Sequence, residues 1–370
     1  MSKMNYLTLV LAAWFSFLPA AELTFYVGTL GSEAKGVWRG TLDLETGKIS
    51  TPVLIAEIKS ASFLALRPDG QILYATTELT DGSGGIAALQ LDATGPAKLL
   101  NTQTTGGKNC NHLAVDAQGR NLVAVNYGSG SVACLPINAD GSLAEFTSLM
   151  QHEGKSVHPT RQTGPHAHGA YFDAANKFVA VPDLGVDRIF VYRFDAEQGT
   201  LTRHTPPGVS QKPGDGPRHF VFHPTSPIAY ACNELALTVT AFHYDAALGA
   251  LQPFQVIDTL PEGAERKGAS AAEIFCLPNG RTLCVSNRIH DSIAVYAIND
   301  DGSLKLIQHQ LNVPATPRGF GLSSDGRWLV CAGQKSGTLN AYRVDGETGR
   351  LTDTQQAIPV GSASCVLFAR

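Results

Sequence analysis

From residue 22 onward the chain alternates short apolar runs with polar turns rich in glycine, aspartate and asparagine. Residues 23–29 and 36–42 read as two strands that end in Asp43-Leu-Glu-Thr-Gly47. The same kind of turn returns at Gly95, Gly141, Gly199, Gly249, Gly302 and Gly349, each with an aspartate one to four residues ahead, which makes seven copies. A short hairpin loop needs a residue at positive φ, which suits glycine, and an aspartate side chain can bond the nearby amides.

Between these turns lies a second repeat: an apolar strand, a turn that usually holds Asn-Gly or Asp-Gly, and another apolar strand. Its copies open near Ser62, Asn111, His168, Arg218, Ala272 and Arg318, and a seventh opens near Ser364 but stops after one strand. A full unit therefore holds four strands over about 50 residues, the length of a propeller blade. The N-terminal unit lacks a first strand and the C-terminus supplies a lone one, so joining them completes a seventh blade and removes the open edges. These patterns predict an all-β, seven-bladed β-propeller over residues 22–370, its ring closed by the C-terminal strand completing the N-terminal blade.

Composition agrees with this. Charged residues are 16% of the chain, below the roughly 25% usual in soluble proteins, and 37 glycines and 20 prolines fit many turns and few long helices. The net charge of −4 carries no clustered Lys/Arg block, which excludes a nucleic-acid-binding surface. Residues 1–21 read as a signal peptide, with Lys3 followed by an apolar core too short for a comfortable membrane span. No cut after Pro19-Ala-Ala21 has the full small-x-small pattern, so cleavage and retention as an anchor both stay open. An exported, periplasmic monomer, free of the membrane once the leader is cleaved, is the expectation. The seven cysteines read as small buried hydrophobes rather than a disulfide framework: a turn at Asn279-Gly280 would set Cys276 opposite Leu283 and Cys284 opposite Phe275, on opposite faces of the sheet.

In a propeller the residues that open the first strand of each blade and close the second converge on one mouth of the central channel. The openings supply Asn111 with His112, His168, Arg218 and Arg318; the closings supply Glu78, Asn126 with Tyr127, Asp183, Glu234, Arg288 and Gln334. A single arginine at a strand end is usually solvated, but charge at equivalent positions of several blades exceeds what blade packing requires. Glu78 and Asp183 have a structural alternative, tied to loop amides, and His219 and His223 read as packing residues. No histidine spacing matches a zinc signature and no carboxylate cluster suggests calcium, so neither metal nor cofactor is expected. There is no Gly-x-Ser-x-Gly elbow, and Cys232 falls mid-strand, where a buried thiol is the natural reading.

The chain resembles the lactonase family of seven-bladed propellers, which includes propeller-type 6-phosphogluconolactonases and muconate-lactonizing enzymes. The resemblance rests on Pro165-His-Ala-His168, Gly216-Pro-Arg-His-Phe-Val-Phe-His-Pro224, Cys232-Asn-Glu234, Ser286-Asn-Arg288, Pro317-Arg318-Gly-Phe and Gly333-Gln-Lys-Ser336. It implies that His168, Arg218, Glu234 and Arg288 form the catalytic group and that Arg318 binds substrate; His112, Asn126 and Gln334 are added as substrate-binding candidates from their repeat positions. The implied activity is metal-independent hydrolysis of a sugar-derived, 6-phosphogluconolactone-like or similar anionic lactone. Glu234 would serve as base, Arg218 and Arg288 as oxyanion stabilisers, and His168 as proton shuttle. Lactone formation from a dienoic diacid and non-catalytic ligand binding are the alternatives. An export signal sits awkwardly with a phosphorylated substrate made in the cytoplasm, so the family name does not by itself give the substrate.

Overall fold

The computed structural model describes residues 22–31 and 33–369. The predicted leader, residues 1–21, lies outside the described residues. Seven antiparallel sheets ring a central channel, and among the described residues there is no helix. We number them as blades from the N-terminus. In blade 1 the strand order runs from Ala363–Phe368 at the channel through Glu22–Thr29 and Gly36–Asp43 to Val53–Glu57 at the rim. The C-terminal strand is therefore the innermost strand of the N-terminal blade, as the repeat accounting requires. Its ladder sets Phe25 against Phe368 and Val27 against Val366. Blades 2 to 7 open at the channel with Leu64–Leu66, Cys110–Val115, Tyr171–Phe172, Pro217–Phe222, Ser270–Cys276 and Pro317–Leu322.

The repeated turn glycine proves to have two physical causes. Most copies sit at positive φ, including Gly141 at 91° and Gly302 at 83°. Each of these turns also presses on the second strand of the preceding blade: a Cβ on Gly302 would lie 2.8 Å from Ile228, and one on Gly141 2.5 Å from Ile72. The contact is sealed by fully buried tyrosines, Tyr74 donating to the Gly141 carbonyl at 2.9 Å and Tyr230 to that of Gly302 at 2.8 Å. A turn residue thus serves as a packing residue between blades. The aspartates act as expected, Asp245 Oδ1 accepting from the amides of Ala247 and Leu248.

The second-repeat turns are wider than a two-residue hairpin. At Asn279-Gly280 the Leu277 amide donates to Thr282, and the Gly280 amide donates back to Leu277. The register is nonetheless the expected one, Cys276 opposite Leu283 and Phe275 opposite Cys284. All seven cysteines are free, six of them buried.

Candidate active site

What positions the chemistry is a β-bulge repeated at the start of the innermost strands. The ladder skips one residue between Cys110 and His112, between Pro217 and His219, and between Pro317 and Gly319; it skips two between Ala271 and Ile274. In blade 1 Ser364 is passed over in the same way. A bulged residue leaves the pleat and re-aims its side chain. The residues left over are Asn111, Arg218, Arg318 and the pair Ala272-Glu273, all at one mouth of the channel.

The closing positions follow a second rule. Asn126, Asn233 and Asn287 are fully buried and bond the following turn: Asn126 Nδ2 to Ser131 Oγ, Asn233 Nδ2 to Thr238 Oγ1, and Asn287 Nδ2 to Ser292 Oγ. Each pins a turn so that the next residue, respectively Tyr127, Glu234 and Arg288, projects into the mouth.

At the centre is Glu234, 2% exposed. Its Oε2 lies 2.9 Å from Arg288 Nη2 and 3.1 Å from Arg218 Nε, and its Oε1 accepts from Arg161 Nη2 at 2.5 Å. Burial pushes this carboxyl up, but Arg288, Arg218 and Arg161 together pull it down to about 2, so it is ionised at neutral pH. Arg218 is buried beneath it and donates to the Ala272 carbonyl at 2.5 Å; Arg288 reaches the Ala271 carbonyl at 3.3 Å. Arg318 makes no hydrogen bond or ion pair among the described residues, and burial with the nearby Arg218 and Arg288 pulls it down to about 9, still protonated at neutral pH. Asn111 Nδ2 donates to His168 Nδ1 at 3.0 Å, and in this orientation the imidazole hydrogen sits on Nε2. Burial, then Arg218, His219 and Arg318, hold His168 well below its usual range, hence neutral.

These groups enclose a cavity of about 200 Å³ bordered by Tyr127, Arg161, His168, Glu234, Arg288 and Arg318. Asn111 Oδ1 and Arg288 Nε are buried without a hydrogen-bond partner. Such unmet capacity beside a concave, charged space marks a place for a polar ligand.

Residues 24–368 match the family described as lactonase, 7-bladed beta-propeller. The chain belongs to this lactonase family. A 6-phosphogluconolactonase of Bacillus subtilis (strain 168) is 34% identical over 94% of this chain and 99% of its own. One from Formosa agariphila is 32% identical over 93% and 99%. A solved structure, the periplasmic gluconolactonase of Pseudomonas aeruginosa, superposes with a TM-score of 0.89 at 30% identity, covering 95% of this chain and 99% of that one.

Within this lactonase fold, the mouth brings together His168, Arg218, Glu234, Arg288 and Arg318 as their repeat positions imply, with one refinement: Arg218 braces Glu234 from below and does not border the cavity. The other three expected substrate ligands are displaced. Asn126 is occupied by Thr105 and Ser131. Gln334 spans to the Leu30 carbonyl of the next blade at 2.9 Å. His112 lies deeper in the channel, its ring 3.9 Å from that of Phe63. Asp183 is structural, accepting from the His166 and Gly185 amides and contacting His152 Nδ1 at 2.6 Å.

Two charged residues of this mouth lie outside the expected set. Arg161 comes from residues 152–170, the long connection between blades 3 and 4, which has no counterpart elsewhere in the repeat. That segment is tied down by Gln162 donating to the Leu184 carbonyl and by His166 stacking on Tyr127 at 4.4 Å. The second is Glu273, on the blade 6 bulge next to Ala272. The signal that could have found Arg161 is the length of that connection in a chain of short turns.

Proposed function

We propose that this protein is a lactonase that hydrolyses a sugar-derived, anionic lactone to the open hydroxy acid. The observation that carries the reading is the charge at the cavity: Arg161, Arg218, Arg288 and Arg318 face a single ionised carboxylate, Glu234. Such a surplus favours an anionic ligand and, still more, a transition state in which new negative charge grows on a carbonyl oxygen.

In the proposed mechanism Arg318, with its guanidinium uncommitted, and Arg288 take the oxyanion. Neutral His168 adds an Nε2–H donor, as an uncharged imidazole can beside several cations. Arg161, half-exposed at the rim, binds the anionic substituent. Glu234 accepts the proton of the attacking water as its oxygen bonds to the carbonyl carbon. Because Glu234 is so weakly basic it cannot keep that proton, and it passes it to the ring oxygen as the lactone C–O bond breaks. The electrophilic pull of the arginines compensates for the weak base. Residues 1–21 as an export signal, together with a periplasmic gluconolactonase among the structural relatives, support action outside the cytoplasm and hence a lactone that need not be phosphorylated.

The test is acid release at constant pH from purified protein, over glucono-lactone, 6-phosphoglucono-lactone and aliphatic lactones. Turnover of a sugar lactone well above the uncatalysed rate is expected. Binding of lactones without any turnover would overturn the assignment. A secretion reporter fused after residue 25 tests location separately: retention in the cytoplasm would restore the phosphorylated lactone as first choice.

A further inference from the structure

Directly beneath the arginines lies a pair of groups to which the proposed reaction gives no role. His219 Nδ1 is 2.6 Å from Glu273 Oε1, and both side chains are buried. Among the described residues Glu273 forms no ion pair with an arginine; the other bond of its carboxyl is from the Ile274 amide at 3.1 Å. The pair joins the bulges of two neighbouring blades. His219 is the residue after Arg218 in blade 5. Glu273 is the residue after Ala272 in blade 6, and the carbonyls of Ala271 and Ala272 are the acceptors for Arg288 and Arg218.

Burying two ionisable side chains is costly unless they are fully paired, so their presence under a charged site calls for a reason. Apolar residues would pack the channel here as they do farther down. Burial pushes Glu273 up to about 8, against the opposing pull of Arg218, the Ile274 amide and Arg318. At neutral pH the carboxyl therefore keeps its proton and donates it to His219 Nδ1. The pair ties the two bulges together without placing a net charge below the arginines.

We propose that the Glu273–His219 bond is a clamp that holds the bulges of blades 5 and 6 in register, so that Arg218 and Arg288 converge on Glu234. Glu273 is thus a positioning residue, acting through the arginines. The clamp predicts a specific signature. Glu234 is depressed because Arg161, Arg218 and Arg288 are held against it, with Arg318, Tyr127 and Cys232 also close by. Slackening two of the three arginines should let its carboxyl rise toward the ordinary value of about 4.3.

The experiment compares Glu273→Ala, Glu273→Gln and wild type, and it rests on the lactonase reading only for its activity arm. In that arm wild-type turnover should hold down to about pH 4. Glu273→Ala should fall about 10- to 100-fold in kcat/KM, with a new acid limb between about pH 4 and 5. Glu273→Gln, whose amide can donate to the same His219 nitrogen, should restore most of both. The second arm needs no substrate: the side-chain carboxyl 13C resonance of Glu234, followed by pH titration in all three proteins, should move to higher pH only in Glu273→Ala. If Glu273→Ala does not fold, His219→Phe, which keeps a ring there but can form no hydrogen bond to Glu273, takes its place in both arms. An unshifted Glu234 titration in a folded clamp variant would overturn the proposal, even if its activity or melting temperature falls; a shifted titration in a protein without lactonase activity would uphold the clamp while removing the function.

Discussion

The two ends of the central channel are built from the same seven inner strands and could hardly differ more. At the end where those strands begin lie four arginines and Glu234. Where the strands finish, a cavity of about 440 Å³ is lined by Leu66, Val115, Phe172, Phe222, Phe275 and Phe368. Bulges explain the difference. At the strand starts the ladder is broken, so charged side chains leave the pleat and are held by carbonyls and by each other; at the strand ends the ladder is regular, and alternation returns apolar residues to the interior. Chemistry occupies the irregular end and packing the regular one.

The comparison can be broken most severely by removing what both ends share. Deleting residues 363–370 takes away the inner strand of blade 1, with buried Val366 and Phe368, and exposes the edge at Glu22–Thr29. A loss of about 5 kcal/mol or more is expected, comparable to the whole stability of an ordinary domain; a cooperative melt at the wild-type temperature would show that closure does not hold the ring.

At the charged end alone, Glu234→Gln should lower turnover by about 10²- to 10⁴-fold, the usual range for a general base. Steady-state kinetics decide its role. A fall in kcat with KM nearly unchanged is the expected split, whereas a rate near wild type would make Glu234 only the counter-ion that gathers the arginines.

At the apolar end the opposite pattern is expected. Phe222→Ala should cost about 1–3 kcal/mol in denaturant unfolding, as core truncations commonly do, while kcat/KM stays within about twofold. A marked change in KM would mean that the two ends communicate.

The smallest expected effect is on acid stability. Glu234 titrates at about 2 in the folded protein, below its unfolded value, so its contribution to stability is complete above the unfolded value of about 4.3 and is lost as the pH falls toward the folded one. Thermal melts between pH 6 and pH 3 should therefore fall more steeply for wild type than for Glu234→Gln. Parallel curves would mean that the arginines do not hold the carboxylate as the geometry implies.

The repeat made much of this legible in the amino-acid order. Seven turn glycines mark the blades, and the missing first strand ahead of residues 23–29, with the lone strand that opens near Ser364, betrays the closure. Arg218, Glu234, Arg288, His168 and Arg318 could be gathered because they recur at matched positions. Asn126 went astray because its place in the repeat is that of Asn233 and Asn287, the pinning asparagines, one residue before the projecting position. Glu273 was passed over because strict alternation gives each strand start one inward residue, and a two-residue bulge gives it two. Arg161 stands outside the repeat altogether, and only folding of residues 152–170 over the mouth brings it to Glu234.

The closure of blade 1 has a consequence for how the protein comes into being. Synthesis proceeds from the N-terminus, and domains generally fold as units. Here the strand that lines the channel beside blades 2 and 7 is made after every other strand of the propeller. Until it arrives, blade 1 cannot be completed, and the first and last repeats have no common wall. The ring therefore cannot close around its charged mouth until all seven blades have been made.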